Sequence, residues 1–236
     1  MEQPLVTFGF VNCNRLYYLK SCVESLLTCT ESYKNKELII VDNASIESGT
    51  DNYLKELKER GFHVKKTKTR DPENEFAKAL NYINRNASGE YICPLAGDMQ
   101  FILKGNWLEE YVMFHQKFDQ FIGCISFDAH RKITIDKLSF GNLIGDNFKF
   151  RFEYTKQPFA PSCNSFFHKD RLKIVGTWEE NTGSHEGGQS AENIIDTRVK
   201  TLKKRGAIQW SQVLPMIPVS AAIYTDPRGT MARIRG

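Results

Sequence analysis

Short apolar runs alternate with amphipathic stretches along the first half of the chain. Apolar runs bounded by turn residues predict buried strands, and apolar positions that repeat every three to four residues predict helices packed on them. Strands are predicted at residues 5–11, 37–41, 62–66, 91–95 and 121–127, and helices at 16–27, 53–60, 76–88 and 107–117. Strands that alternate with helices of this length are typical of βαβ units. We therefore predict an α/β fold with a mostly parallel central sheet flanked by helices.

The second half of the chain has a different pattern from about residue 128. Turn residues and aromatic side chains replace the helical period, and residues 148–154 alternate strictly between aromatic and polar or charged side chains. This alternation predicts a half-buried strand whose aromatic face either packs on the core or stacks on sugar rings. We predict a single domain over residues 1–236, in which a smaller mixed region at 128–236 follows the ligand-binding half at 1–127.

Further short elements are predicted towards the end of the chain. The pattern predicts a strand at 165–168, helical segments at 171–175 and 190–205, and two short strands broken by prolines within 207–224. Asp170 and Ser190 are the predicted caps of the two helical segments, because Asp and Ser side chains accept hydrogen bonds from the first free amides of a helix. Gly206 is placed to end the second one.

Composition and charge exclude several classes of protein. The chain has 236 residues and a formal net charge of +4, and its six cysteines lack the spacings of metal sites, so they are predicted to be reduced core residues. No run approaches the ~20 apolar residues of a membrane span. The N-terminus lacks the basic and apolar segments of a signal peptide. We expect a cytoplasmic protein without an integral membrane segment or a nucleic-acid partner. A role as one module of a longer protein stays open.

Polar side chains follow three of the predicted strands at the point where each strand ends. Asn14 and Arg15 follow the first strand, Asp42 and Asn43 the second, and Asp98 the fourth. Ligands bind open α/β sheets at the carboxyl ends of their strands. These residues are therefore predicted to line one rim of the sheet, where they would contact a bound ligand.

The step after the fourth strand, Ala96-Gly97-Asp98, has two interpretations. The small residues allow backbone to approach a ligand closely, and the carboxylate of Asp98 is a suitable oxygen ligand for Mg²⁺ or Mn²⁺ bound to phosphates. Alternatively, the three residues form a turn in which the aspartate bonds to its own backbone. The residues alone favour the turn.

Two carboxylates lie around a glycine-rich stretch near the end of the chain. Glu186 and His185 lie in the polar loop 182–189, and such loops often contain catalytic residues. Glu192 falls in the first turn of the helix that follows, where the helix dipole favours a negative charge. Alternatively, Glu186 and His185 belong to a solvent-exposed loop without a function, and Glu192 is only a charge at the end of a helix. The last residues include Arg228, which either contributes to a pyrophosphate clamp or belongs to a basic tail.

Four segments occur in a distinctive order and spacing. They are Leu-Val-Thr-Phe-Gly-Phe-Val-Asn-Cys-Asn-Arg at 5–15, Glu-Leu-Ile-Ile-Val-Asp-Asn-Ala-Ser at 37–45, Phe-Ala-Lys-Ala-Leu-Asn at 76–81, and Gly-Glu-Tyr at 89–91. The first is similar to an opening strand with an Asn-Arg turn, the second to a second strand with its acidic end, and the last two to the segment before a metal site. Together they resemble the inverting family 2 glycosyltransferases of GT-A fold over nearly the whole chain.

The resemblance implies a Rossmann-like GT-A domain whose first half binds a nucleotide sugar. In that family the acid of the second strand, here Asp42, contacts the base, and an Asp-x-Asp motif holds a divalent cation on the diphosphate. Only the last acid of that motif is present here, which assigns Mn²⁺ or Mg²⁺ to Asp98. The donor-binding residues implied are Val11, Asn14, Arg15, Asp42, Asn43, Lys78, Ala96, Gly97 and Arg228.

The resemblance also implies a general base at the start of the late helix. The family has a Glu-Asp pair there whose Asp takes the proton, and this chain has Glu192-Asn193 instead. Because an amide does not accept the proton, the resemblance assigns the role of base to Glu192, with Glu186 as the second candidate. Asp196, one turn further into the helix, is interpreted as structural.

The implied reaction is a single displacement that transfers a sugar from a nucleoside-diphosphate sugar, with UDP as the expected nucleotide, to a glycan or other hydroxyl acceptor. Because both motifs are incomplete, a domain that binds nucleotide sugars without transferring them remains an alternative. A nucleotidyltransferase on a similar sheet is a weaker one, since no glycine-rich phosphate loop with a lysine follows the first strand.

Overall fold

The computed structural model describes residues 3–127, 152–154, 163–180, 189–215 and 218–222. Its strands are β1 (Val6–Asn12), β2 (Lys36–Asp42), β3 (His63–Lys66), β4 (Tyr91–Leu95), β5 (Met99–Phe101), β6 (Ile122–Ser126), β7 (Phe152–Tyr154), β8 (Ser165–His168), β9 (Ser211–Pro215) and β10 (Ser220–Ala222). Its helices are α1 (Leu16–Cys29), α2 (Thr50–Glu59), α3 (Glu75–Asn86), α4 (Trp107–Lys117), α5 (Asp170–Val175) and α6 (Gln189–Lys204). The strand and helix alternation predicted for the first half is confirmed.

Eight of the described strands form one sheet in the order β3-β2-β1-β4-β8-β6-β9-β7. Strands β1 to β4 are parallel to one another, and β6 and β9 run in the same direction. Only β8 and β7 run antiparallel to their neighbours within this sheet. The predicted fold class, an α/β domain with a mostly parallel sheet and a mixed second half, is confirmed.

Both faces of the sheet are covered by apolar side chains. Successive residues of β1 point to opposite faces, so Phe8 and Phe10 pack in one buried cluster and Val11 in the other. Helices α1 and α4 contribute Leu19 and Trp107 to the first cluster. Every residue of β1 is buried, which explains why the strand reads as a continuous apolar run.

A short second sheet was not predicted from the sequence. β5 begins immediately after Asp98 and pairs antiparallel with β10, with Gln100 opposite Ala221.

Two of the predicted helix caps are wrong. Helix α5 begins at Asp170 itself, after Lys169, and α6 begins at Gln189, so neither Asp170 nor Ser190 precedes its helix.

Among the described residues, no helix is both long enough and apolar enough to cross a membrane.

Of the predicted aromatic strand at 148–154, residues 152–154 are seen as β7, and residues 148–151 lie outside the described part of the chain. The assignment of residues 1–127 and 128–236 to different roles within one domain stays a prediction.

Candidate functional site

The carboxyl ends of β1, β2 and β4 meet at one edge of the sheet. Asn12, the last residue of β1, is opposite Asp42, the last residue of β2. On the other side of β1, Phe10 is opposite Leu95, the last residue of β4. Residues that follow these strands are thereby brought together, as the sequence predicts for the rim of a parallel sheet. We refer to this region as the carboxyl edge.

Asp42 is fully buried at this edge and its carboxylate is used within the protein. Its Oδ2 atom accepts hydrogen bonds from Asn12 Nδ2 at 2.7 Å and from Ser45 Oγ at 2.6 Å. The Oδ1 atom accepts one from the Ser45 amide at 2.9 Å. Because the side chain is 0% exposed, the carboxylate holds the loop after β2 in this conformation. Its contact with a nucleotide base stays a prediction.

Asn14 connects the loop after β1 to the loop after β2. Its backbone amide donates a hydrogen bond to Ser45 Oγ at 2.8 Å, and its side-chain Oδ1 atom accepts one from the backbone amide of Ile46 at 2.7 Å. Asn14 has a left-handed backbone with φ 50°, a conformation that asparagine adopts more readily than most residues. Asn14 is fully buried, and its hydrogen bonds therefore hold the loops after β1 and β2 together at the carboxyl edge.

Arg15 is a half-buried cation at the start of α1. Its guanidinium lies over the ring of Tyr18, with Cζ 4.3 Å from the ring centroid. The buried Nε atom has no hydrogen-bond partner among the described residues. The guanidinium is a suitable partner for phosphate oxygens, although its Nε atom is not exposed to a ligand in this conformation.

Asn43 belongs to a second cluster of polar residues, which includes a cation that the sequence analysis missed. Its Nδ2 atom donates to the Glu75 carbonyl at 3.4 Å. The Glu75 carboxylate accepts two hydrogen bonds from Arg70, from Nε at 3.2 Å and from Nη2 at 2.8 Å. Arg70 reads as one of several surface cations in the sequence. Only the folded chain shows that it forms a two-pronged ion pair beside the end of β2.

Lys78, which is predicted to bind the donor, forms a surface ion pair with Asp71. Its Nζ atom is 2.6 Å from Asp71 Oδ2, and both side chains are substantially exposed. The lysine hydrogen bond lowers the pKa of the Asp71 carboxyl group. A role for Lys78 in donor binding would require this pair to separate, and it stays a prediction.

The Ala96-Gly97-Asp98 step is a turn between β4 and β5 that also places a carboxylate at the carboxyl edge. Gly97 has φ +79°, and a Cβ atom there would lie 3.3 Å from the carbonyl oxygen of Val11. The glycine therefore lets the end of β4 pass close to the end of β1. Asp98 follows it and is half-buried. The structure therefore shows a bend at this step, and the assignment of a metal ion to Asp98 stays a prediction.

Glu192 lies in the first turn of α6 and points back to this region. Its Oε1 atom accepts a hydrogen bond from the Cys163 amide at 3.1 Å. Burial raises the pKa of the Cys163 thiol well above its ordinary value, and the negative charges of Glu192 and Asp98 raise it further. The residue after Cys163, Asn164, accepts a hydrogen bond from the Ala96 amide, two residues before Asp98. The predicted base and the predicted metal ligand therefore lie in the same neighbourhood.

The remaining residues of the predicted site are either exposed or lie outside the described part of the chain. Asn193, which replaces the family's usual base, is exposed, and its carbonyl accepts a hydrogen bond from Thr197 Oγ1 at 2.9 Å. Glu186 and Arg228 lie outside the described residues, as does His185. The roles predicted for Glu186 and Arg228 therefore stay predictions.

The donor atoms at this edge suit a divalent cation that is bound largely by its ligand. Asp98 offers carboxylate oxygens, the ligands that Mg²⁺ and Mn²⁺ prefer. Within the ranges that the structure describes, no group of three or more His, Cys, Asp or Glu residues forms a metal cage. A cation held by one or two carboxylates and by substrate phosphates fits such a site.

Comparison with known proteins identifies the family of the chain. Residues 9–175 match the family model described as Glycosyl transferase family 2. This match includes the second half of β1, all of β2 to β4, the carboxyl edge and Asn164, and it ends before α6. A putative glycosyltransferase, EpsE of Bacillus subtilis (strain 168), is 34% identical over 116 residues, which cover 48% of this chain and 38% of EpsE.

Solved structures share the fold at low sequence identity. S. aureus TarS 1-349 in complex with UDP is similar with a TM-score of 0.58 and 14% identity, covering 89% of this chain and 60% of TarS 1-349. The mannosyltransferase PcManGT from Pyrobaculum calidifontis, in complex with GDP-Man and Mn²⁺, is similar with a TM-score of 0.58 and 15% identity. That similarity covers 89% of this chain and 57% of PcManGT. The chain thus spans less than two thirds of each of these proteins.

Proposed function

Since this chain belongs to glycosyl transferase family 2, we propose that it transfers a sugar from a nucleoside-diphosphate sugar to an acceptor hydroxyl with inversion at the anomeric carbon. The observation that carries the proposal is the placement of Asp98 and Glu192 around Cys163, beside the meeting ends of β1, β2 and β4. A donor diphosphate and an acceptor hydroxyl need groups of these two kinds within one site.

The proposed donor site is the carboxyl edge between β1, β2 and β4. Gly97 lets the end of β4 pass close to the end of β1, and Arg15 provides a half-buried cation at the start of α1. Asn43 and Arg70 lie beside the end of β2, where a base or ribose would be recognised. We propose a UDP-sugar as donor, supported by the likeness to TarS in complex with UDP. GDP-sugars are the next candidates, given PcManGT.

Asp98 is the residue that would hold a divalent cation together with the donor diphosphate. When bound, such a cation neutralises the negative charge that develops on the departing diphosphate. The protein's own part is to orient the donor and to keep the carboxylate of Asp98 at the end of β4. The likeness to PcManGT, solved with GDP-Man and Mn²⁺, supports Mn²⁺ as well as Mg²⁺.

Glu192 is the proposed general base. The acceptor oxygen forms a bond to the anomeric carbon while the bond from that carbon to the diphosphate oxygen breaks. The electron pair of the broken bond leaves with the nucleoside diphosphate, and the hydroxyl proton moves to the Glu192 carboxylate. Attack from the face opposite the leaving group inverts the configuration. A positioned base of this kind contributes about 10²–10⁴-fold in rate.

A second candidate function is nucleotide-sugar binding without transfer. The observation that favours it is Asn193, an exposed amide at the position where the family has its base. The incomplete Asp-x-Asp motif at Ala96-Gly97-Asp98 points in the same direction. Both functions require the donor site, and they differ in whether a carboxylate removes the proton from the acceptor.

The test is a calorimetric titration of the purified chain with UDP-, GDP- and dTDP-sugars, each with Mn²⁺ and with a chelator. We expect metal-dependent binding of one donor class, with loss of the metal dependence in Asp98→Ala. Glu59→Ala is a matched control, because it removes a carboxylate from a surface ion pair with Lys55 on α2 and should leave the metal dependence in place. The donor that binds is then assayed for sugar release and transfer.

Each outcome of this titration decides between the candidates. Binding followed by slow hydrolysis or transfer supports the glycosyltransferase and identifies its donor. Binding without release of sugar to water or to any acceptor in a panel of hydroxyl compounds favours the binding domain. A complete lack of binding by all the nucleotide sugars would contradict both.

A further inference from the structure

Asn164 joins the end of β4 to the segment that precedes β8. Its amide donates a hydrogen bond to the Pro94 carbonyl at 2.6 Å. Its side-chain Oδ1 atom accepts one from the Ala96 amide at 3.0 Å. One residue therefore holds β4 by backbone and by side chain on either side of its last residue. Asp98 lies only two residues beyond the second of these bonds.

The backbone conformation of Asn164 restricts which residues can make both bonds. Its φ is 61°, in the left-handed region that costs most L-residues about 1–2 kcal/mol. Asparagine and aspartate tolerate this region better than other residues with side chains. Glycine adopts it freely but has no oxygen to accept the bond from Ala96. The position thus combines a rare conformation with a specific acceptor.

The neighbouring residue connects the same segment to α6. The amide of Cys163 donates to Glu192 Oε1 at 3.1 Å. Two consecutive residues therefore bind the two halves of the site: Cys163 binds the proposed base, and Asn164 binds the strand that leads to the proposed metal ligand. A shift of Asn164 would move one half relative to the other.

We propose that Asn164 is a positioning residue that sets the separation between Asp98 and Glu192. This inference rests on the proposed glycosyl transfer, because it assigns those two carboxylates to the leaving diphosphate and to the acceptor proton. The separation matters because transfer requires the donor and the acceptor to be aligned. A displacement of a reacting group by about 1 Å lowers the rate of such a reaction by up to about 10²-fold. Asn164 itself contacts neither reactant in this scheme.

The test compares two substitutions at this position in the full chain. Asn164→Gly keeps the left-handed backbone and removes the Oδ1 acceptor, whereas Asn164→Asp keeps the acceptor. We expect Asn164→Gly to lower kcat for transfer by at least ~10-fold with donor KM changed less than ~3-fold, and Asn164→Asp to recover most of the lost kcat. A purely stabilising residue would not produce this separation of kcat from KM.

Asn86→Gly is the matched control. It removes a side-chain hydrogen bond to the Tyr82 carbonyl at the end of α3, beside the opposite edge of the sheet. This substitution should lower the melting temperature without changing kcat. It shows whether a loss of stability of similar origin is enough to slow transfer.

A measurement independent of activity is hydrogen exchange at the Ala96 amide. The amide is hydrogen-bonded to Asn164 Oδ1 in the folded chain. We expect its exchange to be at least ~10-fold faster in Asn164→Gly than in the wild type, Asn164→Asp or Asn86→Gly. Unchanged protection would show that the side chain does not hold the end of β4.

The outcomes separate this inference from the proposed function. If the wild type transfers sugar and Asn164→Gly is as fast as Asn86→Gly, the positioning role is wrong while the glycosyltransferase stands. Equal losses of kcat in Asn164→Gly and Asn164→Asp would also overturn it, because the acceptor oxygen would then be irrelevant. If the wild type itself transfers no sugar, the proposed function fails, and the exchange experiment still decides the structural claim.

Discussion

Among the described residues, three with side chains have a left-handed backbone, and all three lie around the carboxyl edge. They are Asn14 and Ala44, each with φ 50°, and Asn164 with φ 61°. Such conformations cost about 1–2 kcal/mol for an L-residue and tend to cluster at functional sites. Their concentration here agrees with the proposed site. Buried hydrogen bonds of Asn14 and Ser45 connect the loops after β1 and β2.

Substitution of Glu192 tests the chemistry at the residue scale. In Glu192→Gln the side chain keeps an Oε1 atom for the Cys163 amide but no longer accepts a proton. We therefore expect single-turnover transfer to slow by about 10²-fold or more, with the Kd for the donor unchanged within about 3-fold because binding does not involve the proton. Rapid-quench measurements with saturating donor and acceptor would determine the rate.

Two further variants serve as comparisons for Glu192→Gln. Asp196→Asn removes a carboxylate one turn further along α6 and should transfer at close to the wild-type rate. Glu186→Gln tests the second candidate base. A larger loss in Glu186→Gln than in Glu192→Gln would assign the proton transfer to Glu186, and equal, small losses in both would remove the general-base proposal.

At the scale of elements, the contact between β1 and α3 limits what β1 can contain. A Cβ atom on Gly9 would lie 2.3 Å from Ile83 Cγ2 and 2.8 Å from Ile83 Cδ1. Ile83 is buried, with 1% of its surface exposed, and its branched side chain is stiff at χ1. The close approach of α3 to the sheet therefore depends on the absence of a side chain at residue 9.

This contact predicts non-additive losses of stability. Gly9→Ala should lower the free energy of unfolding by about 1–3 kcal/mol through overpacking, and Ile83→Ala by about 2–5 kcal/mol through the cavity that it leaves. In the double variant the new methyl group occupies part of that cavity, so the combined loss should be smaller than the sum by at least about 0.5 kcal/mol. Urea unfolding of the four proteins measures this coupling, and strictly additive losses would be inconsistent with the contact.

A second contact between elements supports the chain just before the glycine-rich loop. Asn81 of α3 donates from Nδ2 to the Trp178 carbonyl at 2.8 Å and accepts from the Trp178 amide at 3.1 Å. From the other side, Arg198 of α6 donates to the Thr177 carbonyl at 2.8 Å. The segment is therefore held by two helices that are far apart in sequence.

At the scale of the whole molecule, a buried histidine makes folding sensitive to acid. His115 of α4 is 0% exposed and lies against Tyr91 and Phe166. Its Nδ1 atom is 3.4 Å from Asp119 Oδ1, and His168 and Arg171 are the neighbouring basic residues. Burial, together with the smaller effect of the positive charges of Arg171 and His168, lowers the pKa of His115 from 6.5 to about 3.

The sign of this effect predicts the pH dependence of stability. Between about pH 3 and 6.5 the unfolded chain binds a proton at residue 115 that the folded chain does not bind. The contribution of His115 to the free energy of unfolding is therefore full above about pH 6.5 and falls as the pH is lowered, by up to about 1.4 kcal/mol per pH unit.

Replacing His115 should remove this contribution. The free energy of unfolding of His115→Leu, measured in urea at pH 7, 6 and 5, should fall less steeply with pH than that of the wild type. His63→Leu removes an exposed histidine of β3 and controls for the loss of an imidazole. Parallel pH profiles for the wild type and His115→Leu would show that the buried ring does not resist protonation.

Much of the architecture could be predicted from the sequence because it depends on local patterns. The apolar runs of β1, β2 and β4 and the helical stripes of α1 and α3 are periodic in the chain itself. The edge at which Asn14, Asp42 and Asp98 lie also follows from the sequence, because parallel strands end at a common edge. Resemblance to the family extended these predictions to a nucleotide-sugar site.

The sequence by itself determined the order of strands and helices and the rim on which polar residues gather, since both depend on periodicity along the chain. Tertiary structure alone decided that β5 pairs with β10, that Asp42 points inward to Asn12 and Ser45, and that Asn164 bridges β4 to the segment next to Glu192. Apart from the bond between Asp42 and Ser45, these contacts join residues distant in sequence. A hydrogen bond depends on distances and directions of a few ångströms, which exist only once the elements have packed against each other.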